Sequence, residues 1–188
     1  MLKRLPNHGQ WGFSLIELMI AIVVFGIVAA LGVPSYRVWI QNTRIRTAAE
    51  SIQNGLQVAR AEAVKRNART QFVLGLNSSW TVGCSLPVPD NDGDGTDDCP
   101  AVIQSRSSNE GSSADITVAT VPAASNIVEF DNFGRVSLLP VPFTQVDLDS
   151  ATMPAADSRN LRITLGVGGN VRMCDPEPAL PITDPRRC

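Results

Sequence analysis

The sequence predicts an α+β protein in which a long N-terminal helix, half membrane-spanning and half amphipathic, lies against an antiparallel β-sheet head. Three observations predict it. Residues 13–33 form an unbroken apolar run whose only charge is Glu17. Beyond Pro34, Ile40, Ile45, Ala48, Ile52, Leu56, Ala59 and Ala63 recur at helical spacing with polar residues between them. After Asn67 the chain breaks into short strand-like segments separated by Gly, Pro, Asn and Ser. A helix against an antiparallel sheet buries one apolar face of each.

Residues 1–12 are short and polar and carry Lys3 and Arg4. The run that follows, 13–33, reads as a membrane span and gives the anchoring helix 13–34, because twenty-one residues at 1.5 Å each reach about 32 Å, close to the hydrocarbon thickness of a bilayer. The cations before the span stay cytoplasmic, so everything after Pro34 faces the periplasm. A cleaved secretory signal is the alternative, and Ala29-Ala30-Leu31-Gly32 makes a poor cleavage site for one. Gly26, Gly32 and Pro34 interrupt the helical register, so the span is expected to bend or partly melt.

Glu17 is the anomaly. A carboxylate inside an apolar helix costs about 2.5 to 3.5 kcal/mol on insertion scales and needs a partner. No cation exists within the span, but cleavage between Gly12 and Phe13 creates an α-amino group that can meet Glu17 of a neighbouring subunit. A snorkelling carboxylate near the membrane face is the bland alternative. The residues Gly12-Phe13-Ser14-Leu15-Ile16-Glu17 closely resemble the cleavage and assembly signature of type IV pilins and type II secretion pseudopilins. The resemblance implies a prepilin peptidase that cuts after Gly12 and methylates Phe13. It also implies that Glu17 recruits the subunit into a filament, and that the stretch from Gly26 to Pro34 unwinds there.

Residues 35–70, the stem (35–68) and the chain just after it, hold seven basic residues against two acidic ones, and 71–188 hold seven arginines against fifteen acids. These are net charges of +5 and −8, which give no global case for nucleic-acid binding. Opposite signs favour stacking of stem on head; a solvated helix face beside acidic loops is the plain alternative. The head, 69–188, is expected to hold strands at 70–76, 79–84, 101–105, 115–121, 126–131, 135–139, 143–148, 161–166 and 170–174. Arg60-Ala-Glu-Ala-Val64, Trp80 with Gly83, Phe130 through Gly134-Arg135-Val136, and Gly169-Asn-Val-Arg-Met-Cys174 resemble the GspH/FimT/FimU branch of the same family. The implied pilin fold matches the α+β expectation.

Cys84, Cys99, Cys174 and Cys188 all lie in the exported part, where disulfides persist. Three pairings are open. Cys84 with Cys99 and Cys174 with Cys188 are favoured because each closes a short loop; a four-cysteine zinc site is the rival. Asp90, Asp92, Asp94 and Asp98, with a turn glycine, match the front half of a calcium-binding loop. The twelfth position is Ala101 and not a bidentate Glu, so Ca²⁺ competes with a solvated acidic turn. The tail, 175–188, is proline-rich and reads as an irregular, disulfide-tethered excursion. FimT-like DNA receptors use a late Gly-Arg-x-Arg motif, which Gly169-Asn170-Val171-Arg172 keeps only in part. Arg172, Arg186 and Arg187 are the candidate phosphate contacts, with Asp175, Glu177 and Asp184 cancelling the tail's charge.

The only histidine, His8, leaves with the leader, which excludes Ser/His and Cys/His catalysis and His-ligated metal. Carboxylate pairs remain chemically available, but no spacing singles one out, so no enzyme is expected. The expected protein is a FimU-like minor pilin that helps prime a type IV pilus. The alternatives are a GspH-like pseudopilin of type II secretion and a FimT-like DNA-binding minor pilin. Glu17 argues against a terminal tip subunit. The implied partners are other pilins or pseudopilins through the N-terminal helix, the prepilin peptidase and the inner-membrane assembly platform. The implied location is the bacterial inner membrane with the head in the periplasm, then the filament.

Overall fold

The computed structural model describes residues 13–90, 93, 98–110 and 113–188. It forms two compact units, 1–37 and 38–188, which are described separately. Helix α1 (Leu15–Arg66) begins in the first and ends in the second. In the first unit its apolar side chains from Leu15 to Val33 are exposed and none of the apolar window is buried. The helix runs through Gly26, Gly32 and residue 34 without a break, which corrects the expectation of a melted stretch in the single chain. Proline removes one donor from a ladder whose other bonds remain. Gly26 and Gly32 face open space, so no neighbour competes for the helix there.

In the second unit the helix changes character. Ile45, Ala48, Ala49, Ile52, Leu56, Ala59 and Ala63 are fully buried, a stripe at the i, i+3, i+4, i+7 spacing of one helix face. The helix stops at Asn67, which adopts φ 50°. Ala68 N–H donates to the Ala63 carbonyl at 3.1 Å and Asn67 N–H to the Val64 carbonyl at 3.3 Å. This is the paired bonding of a Schellman cap with asparagine as its left-handed residue.

Eight strands follow, in two four-stranded sheets. β1 (Thr70–Leu74), β2 (Trp80–Cys84), β3 (Gln104–Arg106) and β5 (Ile127–Phe130) form the first, in the order β3-β2-β1-β5. β4 (Ile116–Val121), β6 (Gln145–Ser150), β7 (Leu161–Leu165) and β8 (Val171–Cys174) form the second, in the order β4-β6-β7-β8. All pairs are antiparallel. The burial of β1 and β6 alternates residue by residue, as strands with one face inward must.

One core joins the helical stripe to both sheets. Gly55 lets the helix approach the first sheet, since a Cβ there would lie 2.7 Å from the Phe72 ring and 2.9 Å from Trp80. Trp80 Nε1–H donates to Ser51 Oγ at 2.9 Å, and Thr70 Oγ1 donates to the Ala59 carbonyl at 2.6 Å. Two polar groups buried with the core are thereby satisfied. Phe72 meets Phe143 edge-on with centroids 6.1 Å apart, a favoured aromatic geometry.

The segment 135–139, expected as a strand, is a corrected reading. It holds only an isolated bridge between Val136 and Phe130. Val136 N–H turns to the Val167 carbonyl at 3.0 Å while Ser137 N–H reaches Glu129 at 2.8 Å. The segment thus joins the first sheet to the turn between β7 and β8, and Leu138 and Leu139 are left exposed before Pro140. The segment expected at 101–105 also shrinks, with regular pairing limited to β3.

Candidate functional site

The chemistry of the first unit is concentrated at its amino end. Glu17 N–H donates to Ser14 Oγ at 3.2 Å, and Leu18 N–H to the Ser14 carbonyl at 3.2 Å. Ser14 is therefore the helix N-cap and Glu17 the third helical residue, the Ser-x-x-Glu spacing of a capping box. That spacing was readable in the sequence and gives Glu17 a local use at the positive end of the helix dipole. Among the described residues no ion pair involves the Glu17 carboxylate. Phe13 is exposed beside it in sequence; Gly12 lies outside the described residues. An acid at the start of an exposed apolar helix can receive a cation from another molecule.

In the second unit, segments that resemble the pilin branch come together. Arg60 Nε–H donates to the Gly134 carbonyl at 3.1 Å. Gly134 and Gly169 hold φ of 75° and 78°, the left-handed region glycine tolerates. A Cβ on Gly134 would lie 3.1 Å from Arg60 Nε, and one on Gly169 would run into the Gly134 carbonyl. Asp131 shapes the loop, its Oδ1 accepting from Phe133 N–H at 2.9 Å and Arg135 N–H at 2.8 Å. The late helix, the turn after β5 and the β7–β8 turn thus lock on one arginine side chain. Trp80 sits over the stem, and a Cβ on Gly83 would collide with the Ala101 carbonyl. These are positioning contacts, and the sequence had shown the residues without their convergence. Beside them, Glu62 bonds Arg66 at 2.7 Å and Lys65 at 3.4 Å. Partial burial raises its pKa, but the Arg66 hydrogen bond and the nearby cations outweigh that and hold it below the ordinary value.

Cys84 is bonded to Cys99, and Cys174 to Cys188. The second disulfide holds the tail against β8, where Asp175 N–H donates to the Arg186 carbonyl at 2.6 Å and Cys188 N–H to the Asp175 carbonyl at 3.1 Å. The three candidate phosphate-binding arginines hold this tail together. Arg172 Nη2 donates to the carbonyls of Pro185 at 3.3 Å and Arg187 at 3.0 Å. Arg187 Nη1 donates to the Leu180 carbonyl at 3.0 Å. Arg186 forks onto Asp184 through Nε at 3.1 Å and Nη2 at 2.8 Å. That fork, with a backbone bond from Arg186, lowers the Asp184 pKa to about 2. In the acidic loop Asp90 Oδ1 accepts from Gly93 N–H at 2.7 Å, and the Asp98 carbonyl accepts from Arg66 Nη1 at 2.8 Å. Asp92 and Asp94 lie outside the described residues. Among the described residues no group of three or more potential ligands is placed to hold a metal.

Comparison with known proteins matches residues 48–169 to the family described as type II transport protein GspH. Residues 9–33 match the prokaryotic N-terminal methylation motif. Two curated proteins from Pseudomonas aeruginosa, each named fimbrial protein, are 33% identical over 125 residues, covering 58% of this chain and 79% of theirs. Among solved structures, the type IV minor pilin FimU of Pseudomonas aeruginosa PAO1 aligns in one crystal form with a TM-score of 0.44 at 18% identity. That alignment covers 69% of this chain and 87% of the other. A second crystal form gives 0.43 at 17%, covering 68% and 90%.

Proposed function

Since the chain belongs to the GspH family of pilin-like proteins and carries their N-terminal methylation motif, we propose that it is a FimU-like minor pilin that helps prime a type IV pilus. Cleavage between Gly12 and Phe13 and methylation of Phe13 precede its incorporation. In this reading residues 1–12 are the leader, 13–34 the membrane and assembly helix, 35–68 the stem and 69–188 the periplasmic head. The observation that carries it is the exposed apolar helix whose one acid, Glu17, follows four residues after the new amino terminus. In a bilayer that face is solvated by lipid; in a filament it is covered by the equivalent helices of other pilins. The charge on Glu17 is costly in either setting until an ammonium group answers it.

Replacing the acid tests this and separates it from helix capping. Glu17→Gln keeps a capping-box side chain and drops the charge. Membrane fractions and sheared filaments from cells carrying Glu17→Gln or Glu17→Ala are compared by immunoblot. Both variants remain in the membrane and are lost from filaments. Filament levels that survive in Glu17→Gln and fall only in Glu17→Ala assign the residue to capping alone.

The second reading, a pseudopilin of type II secretion, is favoured by the description of the matching family, while the fimbrial relatives favour the pilus. Deleting the gene distinguishes them. Loss of surface pili with intact exoprotein secretion supports the first reading, and the reverse supports the second.

A further inference from the structure

We propose that the cavity between the stem, the β7–β8 pair and the C-terminal tail binds a phosphate group carried by a phospholipid headgroup or a soluble phosphate ester. The cavity encloses about 360 Å³, and three guanidinium groups from three separate segments line it: Arg46 on α1, Arg159 before β7 and Arg186 in the tail. Its apolar lining is Leu161, Met173 and Pro185, and its one acidic lining residue is Asp175.

Arg46 and Arg186 are held by carboxylates and Arg159 by its backbone, and each keeps donors to spare. Arg46 gives only Nε to Glu50 Oε1, at 2.8 Å. Arg186 is fixed by its fork onto Asp184. Arg159 is fixed through its backbone: its N–H donates to Asn42 Oδ1 at 2.8 Å while Asn42 Nδ2 donates to the Asp157 carbonyl at 3.0 Å. Its guanidinium makes no hydrogen bond or ion pair among the described residues. The anchored backbone fixes where the side chain starts, and its planar fork is left to donate.

The same protein indicates why phosphate fits better than carboxylate. Two of its carboxylates are each answered by a single arginine fork, Asp147 by Arg162 at 2.6 and 3.1 Å and Asp184 by Arg186 at 3.1 and 2.8 Å. Three guanidinium groups that keep unused N–H donors around one space match an acceptor with more oxygens. The apolar lining suits the carbon skeleton next to the phosphate.

The test uses the full chain in uncharged detergent micelles, titrated at constant ionic strength with inorganic phosphate and then glycerol phosphate, and followed by amide NMR shifts. Saturable shifts around 157–162 and 184–188 are expected. Arg159→Ala is expected to weaken them roughly tenfold, the scale of one charge-assisted contact, whereas Arg135→Ala, on another surface, leaves them unchanged. Shifts that never saturate, or equal weakening by both substitutions, overturn the site. Nanodiscs of phosphatidylglycerol and of phosphatidylcholine identify the source. Amide protection at the cavity in phosphatidylglycerol alone assigns a lipid headgroup, and displacement by glycerol phosphate without a lipid effect assigns a soluble ester. An oligonucleotide that binds through Arg159 where both monophosphates fail overturns the proposal in favour of nucleic acid.

Discussion

The two halves of α1 differ in apolar pattern and meet opposite fates. From Leu15 to Val33 the apolar residues are exposed around the whole helix, and from Ile45 to Ala63 they form one stripe with no accessible surface. The difference lies in the pattern. In the second half, Arg44, Arg46, Glu50, Asn54, Gln57 and Arg60 interrupt the apolar residues at helical spacing, which leaves one dry face and one wet face. In the first half no such alternation exists, and the only polar punctuation is Ser14 and Glu17 at the start. A helix apolar all round needs lipid or other helices as its solvent. A helix apolar on one side is completed by its own chain.

Truncation sharpens that contrast most. Phe72→Ala empties a fully buried site packed on the stem and on Phe143, and is expected to destabilise the second unit by about 3 to 5 kcal/mol. Phe25→Ala, on the exposed half, is expected to leave that stability unchanged. Denaturant unfolding of the full chain in micelles, followed by Trp80 fluorescence, measures both. A large loss from Phe25→Ala breaks the distinction between the halves.

A smaller effect comes from the polar seam. Ser51→Ala leaves the Trp80 indole N–H without its acceptor inside the core, at a cost of about 1 to 3 kcal/mol. The same unfolding experiment reads it, and a loss well below that range means water replaces the hydroxyl.

The smallest effect is a pH response at the tail. Asp184 has a folded pKa of about 2 against an ordinary 3.8. Because the folded value is depressed, the stabilisation is complete above about pH 4 and is lost as pH falls through about 2. Amide exchange at 184–187 should stay slow at pH 4 and quicken toward pH 2, and Asp184→Asn should be fast throughout. Protection independent of pH in the wild type contradicts the ion pair.

Much of this architecture is legible in the sequence because it rests on local signals. The stripe from Ile45 to Ala63 shows the stem, and short alternating runs show β1, β2, β4 and β6. The loop closures between cysteines favour the two pairs found in the structure. What escaped depends on where distant segments meet. The run at 135–139 reads as a strand because Val136, Leu138 and Leu139 are apolar, yet Val136 bonds to the β7–β8 turn and Ser137 to β5. Arg172, Arg186 and Arg187 read as cations for a ligand, and only the folded tail reveals the carbonyls and the carboxylate to which each gives part of its donors. The grip of Arg60 on Gly134 spans 74 residues, a separation no spacing rule covers. The Ser14 cap is local and its Ser-x-x-Glu spacing stands in the sequence, masked by the larger cost of the Glu17 charge beside it.

The central claim is that Glu17 is tolerated in apolar sequence because cleavage supplies the ammonium that answers it. Intact-mass and N-terminal peptide spectrometry of the protein purified from its own host tests this most directly. The account predicts a chain that begins at Phe13 and carries one added methyl group. A protein that still begins at Met1 contradicts it.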